Sequence, residues 1–437
     1  MKKKLLAVSA ACALTAATAV PALALENEFH GMFRVFGIAN NFGDGSNGYI
    51  FSDDPSKNML AKHPKTRSYV EQRARLMYIA KANDDLKLVT HFEIDSRWGD
   101  ASYNDGGRGK GGAIGADSTN IETKNVYLDF NIPSTAINAK VGIQPWTDSY
   151  GGIFVNADMA GALVSARYAG FNNSLGWFRF NEENKSIPGK ATQDFLVLDS
   201  KYNLTKDIKV GGSYYLLTTD YEQWDSTRTH MVGLNGEFKL DPTTINLFCM
   251  YQFGDTPFSR NSDLSAFAAG GTAKGKLGIG TMKVSALYIS GDRNTGGADR
   301  DEDSSAFQVI AKESNFYAAD MQIMLRNKYN MNSDKAIVFN MNGARENEGF
   351  IGGFVGYDAN FTPKVYGSAN AGFGAAANTN NASNYLGTEV NAEIGYKLFD
   401  NMTASLQGAY MFLGDYFDDA GDLDDPYQTR IMLNYAF

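Results

Sequence analysis

The chain has 437 residues and a formal charge of −9, with 45 glycines, 28 phenylalanines and 23 tyrosines but only 10 prolines. An acidic chain without a block of basic residues is a poor partner for nucleic acid, and no run of 18 consecutive apolar residues offers a membrane-spanning helix. That leaves a soluble all-β protein or a membrane barrel; a soluble one of this length would normally divide into modules, yet no Pro/Ser-rich linker or composition shift marks a boundary.

The chain opens with Lys2, Lys3 and Lys4, an apolar run from Leu5 to Val20, and Pro21-Ala22-Leu23-Ala24. This is the layout of a cleavable secretory signal over residues 1–24, leaving residues 25–437 as one barrel domain. Cys12 lies in the apolar run, but lipoprotein cleavage there would need a branched apolar residue where Ser9 stands. Removal of the signal makes the chain more acidic and leaves Cys249 alone. An internal disulfide is then impossible, and no C-x-x-C-H haem-attachment motif occurs.

A spanning strand needs about 9–11 residues with apolar side chains at every second position. That alternation predicts strands over 28–39, 68–81, 86–97, 121–131, 136–145, 161–170, 173–182, 194–204, 207–219, 228–240, 243–253, 263–274, 280–290, 350–361, 364–375, 387–399, 402–413 and 427–437. In 86–97, Leu86, Leu88, Phe92 and Ile94 oppose Lys87, His91, Glu93, Asp95 and Arg97. At the end of the chain Tyr427, Thr429, Ile431, Leu433, Tyr435 and Phe437 oppose Gln428, Arg430, Met432 and Asn434. A soluble sandwich alternates too, so the connections decide. Tight turns at Asn83-Asp84-Asp85, Pro133-Ser134-Thr135, Asn172-Asn173, Lys206-Asp207, Asp241-Pro242, Thr362-Pro363 and Asp400-Asn401 alternate with Gly/Asp/Asn-rich loops such as 41–67, 98–120 and 414–426. Short turns on one side and long loops on the other mark a transmembrane antiparallel up-and-down β-barrel. The count is eighteen, sixteen if 254–349 is all loop, or twenty if Ser314 to Tyr329 is two strands rather than a short loop helix.

Aromatic residues collect near strand ends, among them Phe130, Tyr168, Tyr202, Phe253, Phe361, Phe399 and Phe412, where rings would meet the lipid headgroups. The terminal Tyr435-Ala436-Phe437 resembles the assembly signal that the barrel-insertion machinery reads in Gram-negative outer-membrane proteins. The segment Leu25-Glu26-Asn27-Glu28-Phe29-His30-Gly31 is similar to the porin-like channel proteins of metal-reducing delta-proteobacteria. These resemblances imply a passive aqueous channel in the cell outer membrane. Its partners would be lipid, lipopolysaccharide and the barrel-assembly machinery, and a homotrimer is an expectation because similar porins form trimers.

Porins commonly fold a third external loop into the barrel, here residues 145–160. Its Trp146, Tyr150 and Phe154 are too apolar for a solvated loop, and Asp148 and Asp158 would lend negative charge to the constriction. Packing on the rim or on a second subunit fits the same residues. Basic residues would stand opposite: Arg34, Arg73, Arg75, Lys140, Arg167 and Arg179, with Glu71, Glu93 and Asp95 beside them. Charge separated across a narrow gap filters ions, although ion pairing that only stabilises the wall explains Glu71, Arg73 and Arg75 equally well.

Other classes leave little trace. G-x-S-x-G and H-E-x-x-H are absent, and there are four histidines. Gly107 to Gly112 fits G-x-G-x-x-G and Gly270 to Lys276 fits G-x-x-x-x-G-K, but Leu277 stands where a Ser/Thr should bind magnesium, and both read as flexible loop. No catalytic residue, cofactor or metal is expected. The one exception is Ca²⁺ at the acidic loops with Asp415, Asp418, Asp419, Asp422, Asp424 and Asp425, or Asp299, Asp301, Glu302 and Asp303, where solvated charge is the plainer reading. A substrate-specific channel, or a barrel with a structural or sheath role, are the alternatives.

Overall fold

The computed structural model describes residues 25–42, 65–99, 112–113, 119–181, 191–221, 226–256, 263–292, 303–310, 315–329, 348–379, 383–420 and 423–437. Residues 1–24, where the sequence predicts a signal, lie outside them. Eighteen strands follow in chain order: β1 (Glu26–Asn40), β2 (Arg67–Asn83), β3 (Leu86–Arg97), β4 (Glu122–Asn131), β5 (Ile137–Thr147), β6 (Asn156–Tyr168), β7 (Phe171–Asn181), β8 (Ala191–Asn203) and β9 (Ile208–Tyr221). The second half comprises β10 (Thr227–Leu240), β11 (Thr243–Asp255), β12 (Asp263–Leu277), β13 (Gly280–Ile289), β14 (Phe350–Asn360), β15 (Val365–Ala375), β16 (Tyr385–Phe399), β17 (Met402–Leu413) and β18 (Tyr427–Ala436).

Each strand pairs antiparallel with its neighbours in sequence, and β18 returns to β1 in a register from Met32 opposite Ala436 to Asn40 opposite Gln428. Both edges of every strand are therefore used, which removes the sixteen- and twenty-strand alternatives. At the seam Gly31 and Phe437 exchange backbone hydrogen bonds of 2.8 and 3.0 Å. A Cβ on Gly31 would meet the Phe437 ring at 2.6 Å, so only a hydrogen fits beneath it.

Three local expectations need correction. The turn before β7 is Ala169-Gly170, with φ of 48° and 85°, while Asn172 and Asn173 lie within the strand. Two consecutive positive φ values suit the right-handed twist of a two-residue hairpin. Strand β6 also begins earlier than predicted, at Asn156, so the third long loop is only residues 148–155. The Gly270 to Lys276 segment is part of β12 and not a loop; its glycine admits the Phe248 ring, whose tip lies 2.5 Å from where a Cβ of Gly270 would be. Most of the Gly107 to Gly112 match lies outside the described residues.

The outward face carries Leu86, Leu88, Leu128, Val141, Leu196, Leu198, Val390, Ile394, Leu406 and Ile431, all exposed. Apolar surface that forms a continuous outer band has no place in water and suits the hydrocarbon of a bilayer. Tyr168, Phe361, Phe399, Phe412, Tyr435 and Phe437 are exposed toward the strand ends. No helix among the described residues is long and apolar enough to cross a membrane. The buried apolar cluster lies inside the barrel.

Candidate functional site

The lumen has two unlike halves. On β7 to β14 the inward side chains include Phe178, Phe195, Val197, Tyr215, Leu217, Met231, Met250, Leu287 and Phe354, all buried. From β16 through β18 to β3 they include Asn391, Glu393, Gln407, Arg430, Arg34, Arg73, Glu93 and Asp95. Two loops turned into the barrel cover the apolar half, and their anchors are the core of the site.

The first is the β5–β6 loop, residues 148–155. Asp148 is its hub: one carboxylate oxygen accepts the N–H of Tyr150 at 2.8 Å and Gly152 at 2.9 Å, and the other accepts Phe154 and Val155, each at 2.8 Å. Wrapping the chain round one carboxylate needs the left-handed φ of Gly151 (83°) and Gly152 (81°). Burial pushes the Asp148 carboxyl up from the ordinary range, against the pull of the four N–H donors. The loop's rings meet the wall: Phe154 stacks on Tyr215 at 5.9 Å, and Tyr150 lies edge-on to Phe248 at 6.1 Å. Trp146, on β5, packs edge-on to Phe195 and Tyr215 at 5.7 and 5.5 Å.

The second is the β13–β14 loop, residues 290–349. Its described parts are irregular apart from a 3-10 turn at Tyr317–Ala319; neither the two strands nor a longer helix forms there. Phe307, Phe316, Met321, Ile323, Met324 and Leu325 are buried against the apolar wall. Glu389 on β16 reaches across and accepts the N–H groups of Gln322, Ile323 and Met324 at 2.7, 3.0 and 2.7 Å. Asn391 donates to the same carboxylate at 2.9 Å and to the Asp320 carbonyl at 3.0 Å. Lys283 on β13 bridges Asp320 and Asp358, and Lys328 lies 3.2 Å from Asp320. Burial disfavours the charged Asp320, but Lys328 and Lys283 outweigh it and hold its carboxyl below the usual range. Ile310 N–H donates to Phe154 O at 3.1 Å and Asn315 N–H to Gly152 O at 3.2 Å, so the two loops are bonded to each other.

The polar half is an ion-pair lattice. Arg73 binds Asp95 through two hydrogen bonds of 2.7 and 2.6 Å and lies 3.3 Å from Glu93. Arg75 also pairs with Glu93, and Arg97 with Glu71 at 2.8 Å. Arg34, opposite Arg73 in register, donates to Asn434 at 2.9 Å and to the Tyr329 carbonyl at 3.1 Å. Arg430 is fully buried, its guanidinium carbon 4.7 Å from the Phe36 ring centre. On β18, β1, β2 and β3 five guanidinium groups (Arg34, Arg73, Arg75, Arg97 and Arg430) thus stand beside three carboxylates (Glu71, Glu93 and Asp95), and β16 of the same wall adds Glu389 and Glu393.

The remaining candidates do not join this site. Asp148 gives the channel no free charge, because its oxygens are spent on the loop. Asp158 lies in β6 on the face of Ala160 and Val164, bonded to Lys124 at 2.8 Å and Asn125 at 2.7 Å. Lys140 sits apart on β5 over Tyr127, and Arg167 is exposed beside the Ala169-Gly170 turn. Arg179 shares the outward face of Leu175 and Trp177 and pairs with Asp194 at 2.8 Å. Its inward neighbours Phe178 and Phe180 are apolar, so the alternation misled. Conversely, the roles of Arg430, Glu389, Glu393, Lys283 and Tyr329 emerge only from the structure, although Arg430, Glu389 and Glu393 stand on the polar side of a clean alternation. Of the acidic loops, Asp425 accepts Leu413 N–H and Tyr410 O–H, each at 2.9 Å. Asp299, Asp301, Glu302 and Asp422 lie outside the described residues, and among the described residues no three potential ligands gather to hold a metal ion.

The architecture is a closed eighteen-strand antiparallel β-barrel with constricting loops, a class found among Gram-negative outer-membrane proteins. Its fold is similar to the outer-membrane protein OpdK of Pseudomonas aeruginosa, with a TM-score of 0.57, 14% identity, and coverage of 94% of this chain and 98% of that one. OccAB4 of Acinetobacter baumannii matches with a TM-score of 0.58 and 14% identity over 95% and 99% of the two chains. A BenF-like porin of Pseudomonas fluorescens matches with 0.55 and 16% over 94% and 98%. No protein-family model and no curated protein matches the sequence.

Proposed function

We propose that the chain is an outer-membrane porin, a passive channel through which ions and small hydrophilic solutes diffuse, with small anions favoured. The observation that carries this reading is a lumen with one wall packed by loops and the other lined, from β18 to β3, by more guanidinium groups than carboxylates. Barrels of about eight strands fill their own interior, whereas 16–18 strands leave an aqueous passage. The likeness to a porin supports a channel rather than an enzyme. Because OpdK has been observed with vanillate, an aromatic carboxylate is a sensible first organic probe. A sheath around a large partner fits less well, since two inward loops occupy part of the lumen. The long loops would face outward over lipopolysaccharide and the short turns the periplasm, with Tyr435 and Phe437 read by the assembly machinery. The similarity of Leu25 to Gly31 to the channels of metal-reducing delta-proteobacteria is part of the same reading.

Reconstitution of the purified chain in planar bilayers tests it. Discrete ohmic steps are expected, with a reversal potential on the anion side in a salt gradient. Bilayers that stay closed under every condition would refute the channel.

A further inference from the structure

Below the β13–β14 loop, toward the short-turn end, lies a cavity of about 500 Å³ whose lining includes Lys276, Lys328, Tyr329, Asp358, Tyr366 and Glu393. Most of the charge around it is already matched: Lys283 spans Asp320 and Asp358, and Lys328 binds Asp320 with one of its three N–H donors. One carboxylate oxygen is not matched. Glu393, 8% exposed, accepts the Tyr329 hydroxyl on Oε2 at 3.3 Å, while its buried Oε1 has no hydrogen-bond partner. Gln407, the register partner of Glu393 on β17 and 1% exposed, likewise has no partner for either amide atom. Polar atoms buried this deeply are normally satisfied.

The positive counterpart sits on the same ring. Lys328 Nζ lies 5.4 Å from the centre of the Tyr329 ring whose hydroxyl bonds Glu393, so one tyrosyl ring separates an ammonium with donors to spare from a carboxylate oxygen with none. The chamber thus offers open groups of both signs, Lys276 and Lys328 against Glu393 Oε1. It matches a small molecule that carries both.

We propose that this chamber binds a small zwitterion of the amino-acid type, with its ammonium on Glu393 Oε1 beside Tyr329 and Tyr366 and its carboxylate on Lys328. The inference rests on the channel reading and deepens it, placing a solute site on the periplasmic side of the constriction. Tyrosine faces add attraction for a cation, and charge-assisted hydrogen bonds at both ends fix the orientation.

The test is single-channel recording on the mature full-length chain with alanine added from the periplasmic side, and propionate and n-propylammonium as singly charged controls of similar size. Transient current interruptions are expected with alanine, with residence times about tenfold longer than with either control. Glu393→Gln should shorten the alanine events about tenfold. Lys328→Gln, on the loop and away from the barrel wall, should make alanine and n-propylammonium equivalent, and it serves if the wall variant fails to insert. Alanine events that match either control in the wild-type chain, or that persist unchanged in both variants, would overturn the site. Closed bilayers would instead overturn the channel itself, so the two failures are distinguishable.

Discussion

The two halves of the lumen are built by opposite means from the same strand geometry. From β16 round to β3 the inner face is polar, and on β2 and β3 its side chains satisfy one another within the wall, as Arg73 does with Asp95. From β7 to β14 the inner face is apolar and is satisfied only by loops brought in from outside, as Tyr215 is by Phe154. The polar half can therefore hold water and act on solutes, whereas the apolar half can only be covered. Constriction and selectivity are assigned to different strands, and mutations should separate them.

The largest effect is expected from Asp148→Ala. It would strand four buried N–H donors, each costing roughly 1–3 kcal/mol when unsatisfied. Thermal unfolding should begin at lower temperature and single-channel conductance should rise severalfold; unchanged conductance would mean that this loop does not narrow the passage. Phe154→Ala removes one ring from the apolar packing and should cost ~3–5 kcal/mol, raising conductance with no shift in ion preference. The double change Arg73→Ala with Arg75→Ala leaves Glu93 and Asp95 without those partners. Reversal potentials should then move toward cations by a severalfold change in permeability ratio, with conductance nearly constant. A selectivity shift from Phe154→Ala comparable to that of the arginine pair would abolish the distinction between the halves. Smallest of all is Arg179→Ala: an outward, partly exposed ion pair of about 0–1 kcal/mol should leave both conductance and selectivity as they were.

The same contrast explains what the sequence discloses. Where the lumen is polar, one face of each strand is apolar and the other is not, so β3, β16 and β18 and their faces can be read directly. Where the lumen is apolar, both faces are: Leu196 and Leu198 point out while Phe195 and Val197 point in. The strand is legible there but its phase is not, which is why alternation alone does not reveal that Arg179 faces outward. The start of β6 was hidden for a related reason, because Asn156-Ala157-Asp158-Met159-Ala160 has small or polar residues on both faces. The β13–β14 loop has no period at all. Its position depends on Glu389, some 65 residues further along the chain, and no local pattern announces such a contact.

The seam between β1 and β18 has a consequence for how the molecule comes together. Every other pair of neighbouring strands is also consecutive in sequence, but the seam joins positions as far apart as Arg34 and Asn434, 400 residues away. Loop-closure entropy grows by about 0.6 kcal/mol for each doubling of length, so against a 30-residue hairpin the extra cost is only roughly 2 kcal/mol. The larger penalty is kinetic, since non-local pairing slows folding. Fitting the Phe437 ring over Gly31 is then expected to come late in folding. A bulkier residue at Gly31 should strain the seam and the β1–β2 hairpin together, because a Cβ there would lie 2.5 Å from the Arg75 carbonyl and 2.6 Å from the Phe437 ring.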